Sequence, residues 1–403
     1  MRRFYHQVFT GHFQRNRQML FVMGPRQVGK TTLGVNVGED WPRVLYYTWD
    51  DPNDRDKIQQ GGRALGQEAK LGLMEEPVPL LIFDEIHRYP SWKLFLKGLY
   101  DLYPNLAHIL VTGGARLDVY QKGGDSLMGR YFRHHVHPFT IRELVEPEVT
   151  PIAVRPAPCE IEDSLYEALW RFGGFPDPLL RGEEAYHTQW SLHRWDQLLH
   201  EDLRDLTRIR EISQMELLIQ MLRAGVGSLT SYASLARKVQ ISHTTVMQWL
   251  KHLISLYVCF EVRPYAHSVA RSLLKEPKYY LTDWSLLSDP GARAENMVAC
   301  FLLKATDFWT DCGMGVFTLH YVRDKEKREV DFLVTYNGKP WMLVEVKLGN
   351  SRQISPSLAH FQMQLRPQYA LQVVFDQPYS HQTCFLDPTP RIVSARSFLS
   401  QLV

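Results

Sequence analysis

Three hydrophobic patterns succeed one another along this chain of 403 residues. Short apolar runs in the first third, such as residues 19–23 and 80–83, predict strands buried on both faces of a parallel sheet. From about residue 160 to 225, apolar positions recur at helical spacing, as in SLYEALWRFGG. The last third contains VDFLVTYNGKPWMLVEVK, which predicts two strands joined by a turn at NGKP. These patterns predict an α/β protein.

We divide the predicted protein into three domains. Residues 1–150 form the first, with a parallel sheet, and residues 151–265 form a helical middle region. Residues 266–403 form a C-terminal α/β domain.

The charged residues of the predicted hairpin share one face of a strand. Val344 and Val346 alternate with Glu345 and Lys347, so the valines and the charges point to opposite faces. The hairpin also brings Asp331 near Glu345. Two carboxylates and a lysine at a sheet edge predict either a metal site or a cluster of ion pairs, and this pattern alone leaves both open.

Composition excludes several classes of protein. The chain is 45% hydrophobic and 22% charged, as in ordinary globular proteins. No apolar run reaches the roughly 18 residues of a membrane span, and the basic N-terminus lacks the apolar core of a secretory signal. We therefore expect a cytoplasmic protein with no membrane partner. The net charge of +2 means that a DNA-binding surface would be a local patch. The five cysteines include no CxxC pair, so neither a zinc site nor a disulfide framework is expected.

A phosphate-binding loop follows the first predicted strand. Gly24, Gly29, Lys30 and Thr31 match the P-loop pattern GxxxxGK[ST] in full. Glycines let backbone N–H groups wrap phosphates, and the following helix N-terminus favours anions. Lys30 is expected to reach the β- and γ-phosphates of ATP, and Thr31 to hold Mg²⁺. We expect nucleotide contacts from the whole loop: Gly24, Pro25, Arg26, Gln27, Val28, Gly29, Lys30, Thr31 and Thr32.

The strand LLIFD supplies the predicted acidic half of the ATP site. It ends in Asp84 and Glu85, and ligands bind at the carboxyl ends of strands in open α/β sheets. Asp84 is expected to bind Mg²⁺ through water, and Glu85 to polarise the attacking water. Arg116 and Arg130 are candidates for an arginine finger, acting within the chain or across the interface of a homo-oligomer.

The middle region contains a predicted helix-turn-helix. YASLARKV, the turn QIS and HTTVMQWLKHLISL precede the strand YVCFEVRPY, in the order of a winged helix. Ser242 is expected to cap the second helix, and His243, Thr244, Gln248 and Lys251 are candidates for contacting DNA. Because Lys251 is the only fixed positive charge on that helix, a role as lid or protein contact competes with DNA binding.

The last third combines acidic residues with a specific order of elements. Helix GARAENMVACFLLKA carries Glu295 and is followed by three strands, a helix and a strand, with Asp331, Glu345 and Lys347 on the central hairpin. Phosphodiester hydrolysis uses one or two Mg²⁺ ions, and carboxylates are the oxygen ligands that Mg²⁺ prefers. Asp331 and Glu345 are candidate metal ligands, and an ion pair of Lys347 with either of them is the alternative. Lys347 is placed to stabilise hydroxide or the scissile phosphate.

Several motifs of the chain together resemble a known family, the bacterial and archaeal AAA+-type ATPases with a C-terminal nuclease-like domain of uncertain function. The motifs are GPRQVGKTTL, YYTWDD, LLIFDEIHRYPSWKLFLKGLYD, VTGGARLD, SLMGRYF, HPFTIREL and GGFPDPLL. The resemblance implies that Thr112 senses the γ-phosphate. It also reveals a departure, because the family usually has Ser where this chain has Gly114. If that serine is the sensor, hydrolysis here is slowed or abolished.

Residues of about 275–380 resemble the core of the PD-(D/E)xK nucleases. The resemblance implies that Asp331 and Glu345 bind metal and that Lys347 orients the attacking water. Glu295 matches the acidic residue that many members carry on the first helix and is a candidate catalytic residue. By the same resemblance, Gln362 corresponds to a polar residue that these nucleases often have on the helix after the hairpin.

The leading hypothesis is an ATP-binding and ATP-hydrolysing enzyme coupled to a Mg²⁺-dependent nuclease-like domain that acts on DNA, in repair or defence. A nucleotide-gated binding switch with a non-catalytic C-terminal domain is the alternative, and Gly114 favours it. A kinase fits less well, because Asp84 and Glu85 suit attack by water.

Overall fold

The computed structural model describes residues 3–73, 76–114, 127–147, 153–199, 212–266, 275–349 and 351–403. The candidate Arg116 lies outside these residues. The chain forms two compact units. The first comprises Met1–His137 with Pro147–Val149, and the second comprises Pro138–Glu146 with Thr150–Val403.

The first unit is built on a parallel sheet with the strand order β2-β3-β4-β1-β5. Its strands are β1 (Met19–Met23), β2 (Val44–Thr48), β3 (Leu80–Asp84), β4 (His108–Thr112) and β5 (Tyr131–His135). Its helices are α1 (Tyr5–Arg15), α2 (Lys30–Gly38), α3 (Pro52–Gln59), α4 (Gly62–Glu68) and α5 (Trp92–Leu102), with a 3₁₀ turn at Ile86–Arg88. Every residue of β1 and β3 is buried, as their apolar runs predicted. The predicted parallel-sheet domain is confirmed.

The second unit has a seven-stranded sheet with the order β12-β11-β10-β9-β8-β6-β7. Its strands are β6 (Cys259–Pro264), β7 (Lys278–Leu281), β8 (Phe317–Arg323), β9 (Glu329–Tyr336), β10 (Lys339–Lys347), β11 (Tyr369–Val374) and β12 (Arg391–Ser394). Its helices are α6 (Ile141–Val145), α7 (Asp163–Phe172), α8 (Pro176–Arg181), α9 (Glu184–Gln197), α10 (Ile212–Ala224), α11 (Tyr232–Val239), α12 (His243–Ser255), α13 (Pro290–Asp311), α14 (Pro356–Leu365) and α15 (Ala395–Ser400), with a 3₁₀ turn at Trp284–Leu286.

The predicted hairpin is present as β9 and β10, which pair antiparallel. Asn337 and Gly338 join them with φ angles of 49° and 77°, the left-handed conformation that a two-residue hairpin turn requires. The pairing of Val344 with Phe332 places Asp331 and Glu345 on neighbouring positions of the two strands.

The helix-turn-helix segment consists of α11 and α12. The Ser242 hydroxyl accepts a hydrogen bond from the backbone N–H of Thr245 at 3.0 Å, which is the expected N-terminal cap. The strand that follows, β6, pairs with β7 and β8 in the seven-stranded sheet. The expected domain boundary at residue 265 therefore falls between strands of one sheet.

Residues 138–146 pack within the second unit through a buried ion pair. Lys304 Nζ of α13 lies 2.6 Å from Glu143 Oε2 of α6, and it also donates to the carbonyl oxygen of Pro138 at 2.8 Å. Both charged side chains are at most 1% exposed, so the pair ties this segment to α13. None of the described helices combines the length and apolarity needed to cross a membrane.

Candidate functional site

The P-loop joins β1 to α2 in the first unit. Gly24 and Gly29 have φ angles of 151° and 88°, which favour glycine. A Cβ atom at position 24 would lie 2.2 Å from the carbonyl oxygen of Val136, so this site excludes other residues. The Arg3 guanidinium donates to the carbonyl oxygen of Val28 at 2.8 Å and anchors the loop.

The predicted nucleotide contacts form one strand–loop–helix segment. Lys30 Nζ donates to the carbonyl oxygens of Gly24 and Pro25 at 3.1 and 2.7 Å, so the ammonium lies over the loop. The side chains of Gln27, Thr31 and Thr32 are exposed, whereas Val28 is 0% exposed and packs in the core. Arg26 is partly exposed.

Three hydroxyl groups surround the carboxylate of Asp84. Thr31 Oγ1 and the Tyr46 hydroxyl each donate to Asp84 Oδ2 at 2.8 Å, and the Thr112 hydroxyl donates to Oδ1. Asp84 pairs with Thr112 across β3 and β4, and Thr112 pairs with Val22 of the P-loop strand. The order of the strands therefore brings Asp84 to the P-loop. Thr31 and Asp84 supply the hydroxyl and carboxylate oxygens that suit Mg²⁺.

Tyr46 is a site residue that sequence reasoning missed. Partial burial and the hydrogen bond to Asp84 raise the pKa of its hydroxyl, which stays protonated and donates to the carboxylate. The motif YYTWDD contains Tyr46, but only the pairing of β2 with β3 brings it beside Asp84.

Glu85 lies immediately after β3 in the left-handed conformation, with a φ of 53°. Such a conformation costs energy for a residue other than glycine and is found at functional sites. Burial raises the pKa of its carboxyl, and the charge of Lys30 opposes this effect. Glu85 Oε2 lies 3.5 Å from His87 Nε2 and 3.7 Å from Arg88 Nε.

Arg130 lies at the amino-terminal end of the parallel strands, whereas the P-loop lies at their carboxyl-terminal end. The backbone N–H of Met19 donates to its carbonyl oxygen at 2.9 Å, so Arg130 is level with the start of β1, whereas the P-loop follows the end of that strand. Five strand residues span roughly 16 Å. The guanidinium donates to both carboxylate oxygens of Asp101 at 2.9 Å. This position does not fit an arginine finger that acts at the P-loop of its own chain. An arginine finger that acts at the P-loop of a neighbouring subunit stays a prediction.

A second group of charged residues lies in the second unit, and we call it the carboxylate cluster: Glu295, Glu329, Asp331, Glu345, Lys278 and Lys347. Asp331 Oδ2 accepts a hydrogen bond from the N–H of Val346 at 2.8 Å, and Lys347 Nζ donates to Glu345 Oε1 at 2.8 Å. The contact between Glu345 and Lys347 shows that the two charges share one face of β10, as predicted.

The predicted metal ligands Asp331 and Glu345 are adjacent. Burial, followed by the neighbouring Asp331, raises the pKa of the Glu345 carboxyl, while Lys347 and then the Ser355 side chain oppose both effects. Burial likewise raises the pKa of Asp331, with Lys278 as the main opposing charge. Glu345 Oε2 is buried and makes no hydrogen bond of good geometry among the described residues. Asp331 and Glu345 thus supply two hard carboxylate ligands, one of them with this open oxygen, and this arrangement fits a divalent cation.

Glu295 lies beside two residues of β7 that the sequence reasoning missed. Lys278 Nζ is 3.5 Å from Glu295 Oε1, and the Tyr280 hydroxyl donates to the same oxygen at 2.7 Å. Burial and Asp331 raise the pKa of Glu295 to about 7, and Lys278 opposes them. The signal available in the sequence was a lysine at the start of the strand KYYL, which a buried strand tolerates only with a partner.

The four predicted residues Glu295, Asp331, Glu345 and Lys347 therefore lie in one cluster. Their surroundings differ, because Glu295 contacts Lys278 and Tyr280, whereas Asp331 and Glu345 are neighbours. Within the described ranges, no group of three or more Asp, Glu, His or Cys residues is arranged to hold one metal ion. Gln362 Nε2 donates to the carbonyl oxygen of Pro388 at 3.1 Å rather than to a member of the cluster.

Residues 16–145 match the family model described as an AAA domain. The first unit thus contains a P-loop ATPase-like domain, and this part of the sequence-based prediction is confirmed. Residues 163–290 and 290–380 match two domains of unknown function, DUF8612 and DUF4143.

The chain is similar to several proteins along most of its length. The uncharacterized protein Rv2008c of Mycobacterium tuberculosis is 26% identical over 347 residues, covering 84% of this chain and 72% of that protein. The uncharacterized protein MJ1637 of Methanocaldococcus jannaschii is 23% identical over 387 residues, covering 85% and 78%. Among solved structures, the Walker-type ATPase PABY2304 of Pyrococcus abyssi has a TM-score of 0.44 at 14% identity, covering 72% of this chain and 94% of that chain. AMPPCP-bound DnaA of Aquifex aeolicus has a TM-score of 0.32 at 14% identity, covering 62% and 86%.

Proposed function

We propose that this protein hydrolyses ATP in its first unit. The observation that carries the proposal is the 2.8 Å hydrogen bond between Thr31 and Asp84, beside the Lys30 ammonium that caps the loop. A P-loop hydroxyl and a strand-end carboxylate in contact are the groups that hold Mg²⁺ in P-loop ATPases. The nine loop residues named above bind the nucleotide.

The residues of the site divide the chemistry between them. Thr31 and Asp84 would hold Mg²⁺, which would supply charge neutralisation at the phosphates. Lys30 leaves the loop carbonyls to bind the β- and γ-phosphates. Glu85, in its ionised form, orients water and accepts its proton. The charge of Lys30 favours that ionised form against the burial of Glu85.

The first experiment measures phosphate release from Mg·ATP and the binding of a fluorescent ATP analogue. Lys30→Ala is expected to lose both, and Glu85→Gln to lose phosphate release while keeping analogue binding. Lys325→Ala is the matched control, because Lys325 is an exposed lysine in the second unit. Undiminished turnover in Lys30→Ala would refute the assignment.

We also propose that the carboxylate cluster hydrolyses DNA phosphodiester bonds with Mg²⁺, in the cytoplasm. Support comes from the open Oε2 of Glu345 beside Asp331 and from Lys347 on the same face. Glu295 is assigned to the same site, in agreement with its position beside Asp331. The exposed residues His243, Thr244 and Gln248 of α12 are candidates for holding DNA.

A nucleotide-gated binding switch is the second candidate. The observation in its favour is the 2.8 Å ion pair between Lys347 and Glu345, which stabilises the cluster without a metal ion. Plasmid cleavage with Mg²⁺ or Mn²⁺, with and without ATP, separates the two. Cleavage that disappears in Asp331→Asn but not in the control Asp324→Asn supports the nuclease. A preparation that hydrolyses ATP and never cuts supports the switch.

Arg130 is proposed to act at the ATP site of a neighbouring subunit. Arg130→Ala and Lys30→Ala are each expected to be inactive alone. Their equimolar mixture recovers part of the ATP hydrolysis, because one interface then joins an intact P-loop to an intact arginine. Full activity of Arg130→Ala alone would remove this role.

A further inference from the structure

Lys278 is a buried cation in the carboxylate cluster. Its side chain is 3% exposed, and its Nζ lies 2.7 Å from Glu329 Oε1 and 3.5 Å from Glu295 Oε1. Its backbone is held on both sides, by pairing with Val262 of β6 and by a bridge to Leu229. The ammonium group therefore has a defined position between the two glutamates.

The carboxylate of Glu295 is already surrounded by protein groups. Its Oε1 accepts a hydrogen bond from the Tyr280 hydroxyl at 2.7 Å and faces the Lys278 ammonium. The backbone of Gly227 closes another side, because a Cβ atom there would lie 2.7 Å from Oε1 and 3.2 Å from Oε2. A metal ion at Oε1 would have to displace both the tyrosine and the lysine.

Asp331 and Glu345 present a different environment. Glu345 is 5% exposed, yet its Oε2 makes no hydrogen bond of good geometry within the described part of the chain, although the Ser355 side chain is close enough to lower the pKa of this carboxyl. A buried carboxylate oxygen without a hydrogen bond is costly, and a cation relieves that cost. The carboxylate oxygen without a hydrogen bond therefore belongs to Glu345, next to Asp331, and not to Glu295.

We propose that Lys278 takes the place of a second metal ion, so that Asp331 and Glu345 hold a single divalent cation. Glu295 is then a positioning residue that holds Lys278, and not a metal ligand. A second divalent ion beside the buried ammonium would meet strong repulsion, because charges interact strongly where water is excluded. The inference rests on the metal-dependent function proposed above for the cluster.

The test counts Mn²⁺ ions by electron paramagnetic resonance on the full chain without nucleotide. Asp84→Asn is present throughout, to remove the metal ligand of the ATP site. The parent is expected to bind one ion. Glu295→Gln keeps that ion, whereas the matched substitution Glu345→Gln loses it. Lys278→Arg binds one ion, and Lys278→Ala binds a second ion between Glu295 and Glu329.

Each outcome decides the inference. Two ions in the parent, or loss of the ion in Glu295→Gln, would overturn it while leaving a metal-dependent cluster. No ion in the parent would overturn the proposed metal-dependent function and this inference together. One ion in a folded Lys278→Ala would also overturn it, because removing the ammonium would then open no second metal site. If Lys278→Ala fails to fold, the two glutamine variants still test the single ion and its ligands, because Gln has the shape of Glu.

Discussion

Replacing Thr112 with valine removes one of the hydroxyl groups that donate to Asp84 while keeping the shape of the side chain. Thr112 is 0% exposed, so water does not replace the lost donor. A hydrogen bond to a charged group contributes about 1.5–3 kcal/mol. If that energy orients Asp84 for Mg·ATP, kcat/KM for ATP hydrolysis falls by about 10- to 150-fold.

Tyr46→Phe removes a second donor to the same carboxylate and serves as the comparison. Tyr46 is 38% exposed, so water takes over much of the hydrogen bond. The expected loss is about 0.5–1 kcal/mol, or about two- to fivefold in kcat/KM. Thr112→Ser keeps a hydroxyl group and is expected to stay close to the wild type.

Steady-state phosphate release at varied Mg·ATP measures all three variants, with circular dichroism to verify the fold. The reasoning would be refuted if Tyr46→Phe lost as much activity as Thr112→Val. A folded Thr112→Val with wild-type kcat/KM would refute it equally.

Three further predictions concern the first unit. Gly24→Ala is expected to abolish nucleotide-analogue binding, because its Cβ would lie 2.2 Å from a carbonyl oxygen; retained binding would contradict this. Gly114→Ser, where no atom of the described residues beyond the chain neighbours lies within 4 Å of the added Cβ, is expected to leave thermal stability unchanged and to raise ATP turnover; unchanged turnover would exclude a sensor role for a serine there. Burial lowers the pKa of His12 below 6.5, so the unfolded chain binds the proton first and the free energy of unfolding falls as pH drops below 6.5. His12→Gln is expected to flatten that dependence in urea unfolding at pH values on both sides of 6.5, and equal slopes would contradict it.

Features that depend only on residues close together in the sequence were predictable from it. The P-loop, the acidic end of β3, the cap at Ser242 and the turn at Asn337 each occupy a short segment. Their conformations follow from local propensities and from the hydrophobic period, which depend little on the rest of the fold. The proximity of Asp331 to Glu345 also belongs here, because a tight hairpin determines its own register.

The sheet topology decided which distant residues meet. Tyr46 reaches Asp84 because β2 pairs with β3, and Arg130 is separated from the P-loop because β5 runs parallel to β1. Neither relation can be derived from a single strand, since a strand's own pattern does not specify its neighbours.

The carboxylate cluster shows the same difference between what the sequence determines and what the tertiary structure decides. The sequence determined which acids and which lysine occupy the hairpin, because they alternate with valines along the strand. Only the tertiary structure decided that Lys278 and Tyr280 of β7 lie at Glu295 of α13, and that Glu345 keeps an open oxygen. Burial is the physical reason: charges removed from water are stable only beside particular partners, and long-range packing determines those partners.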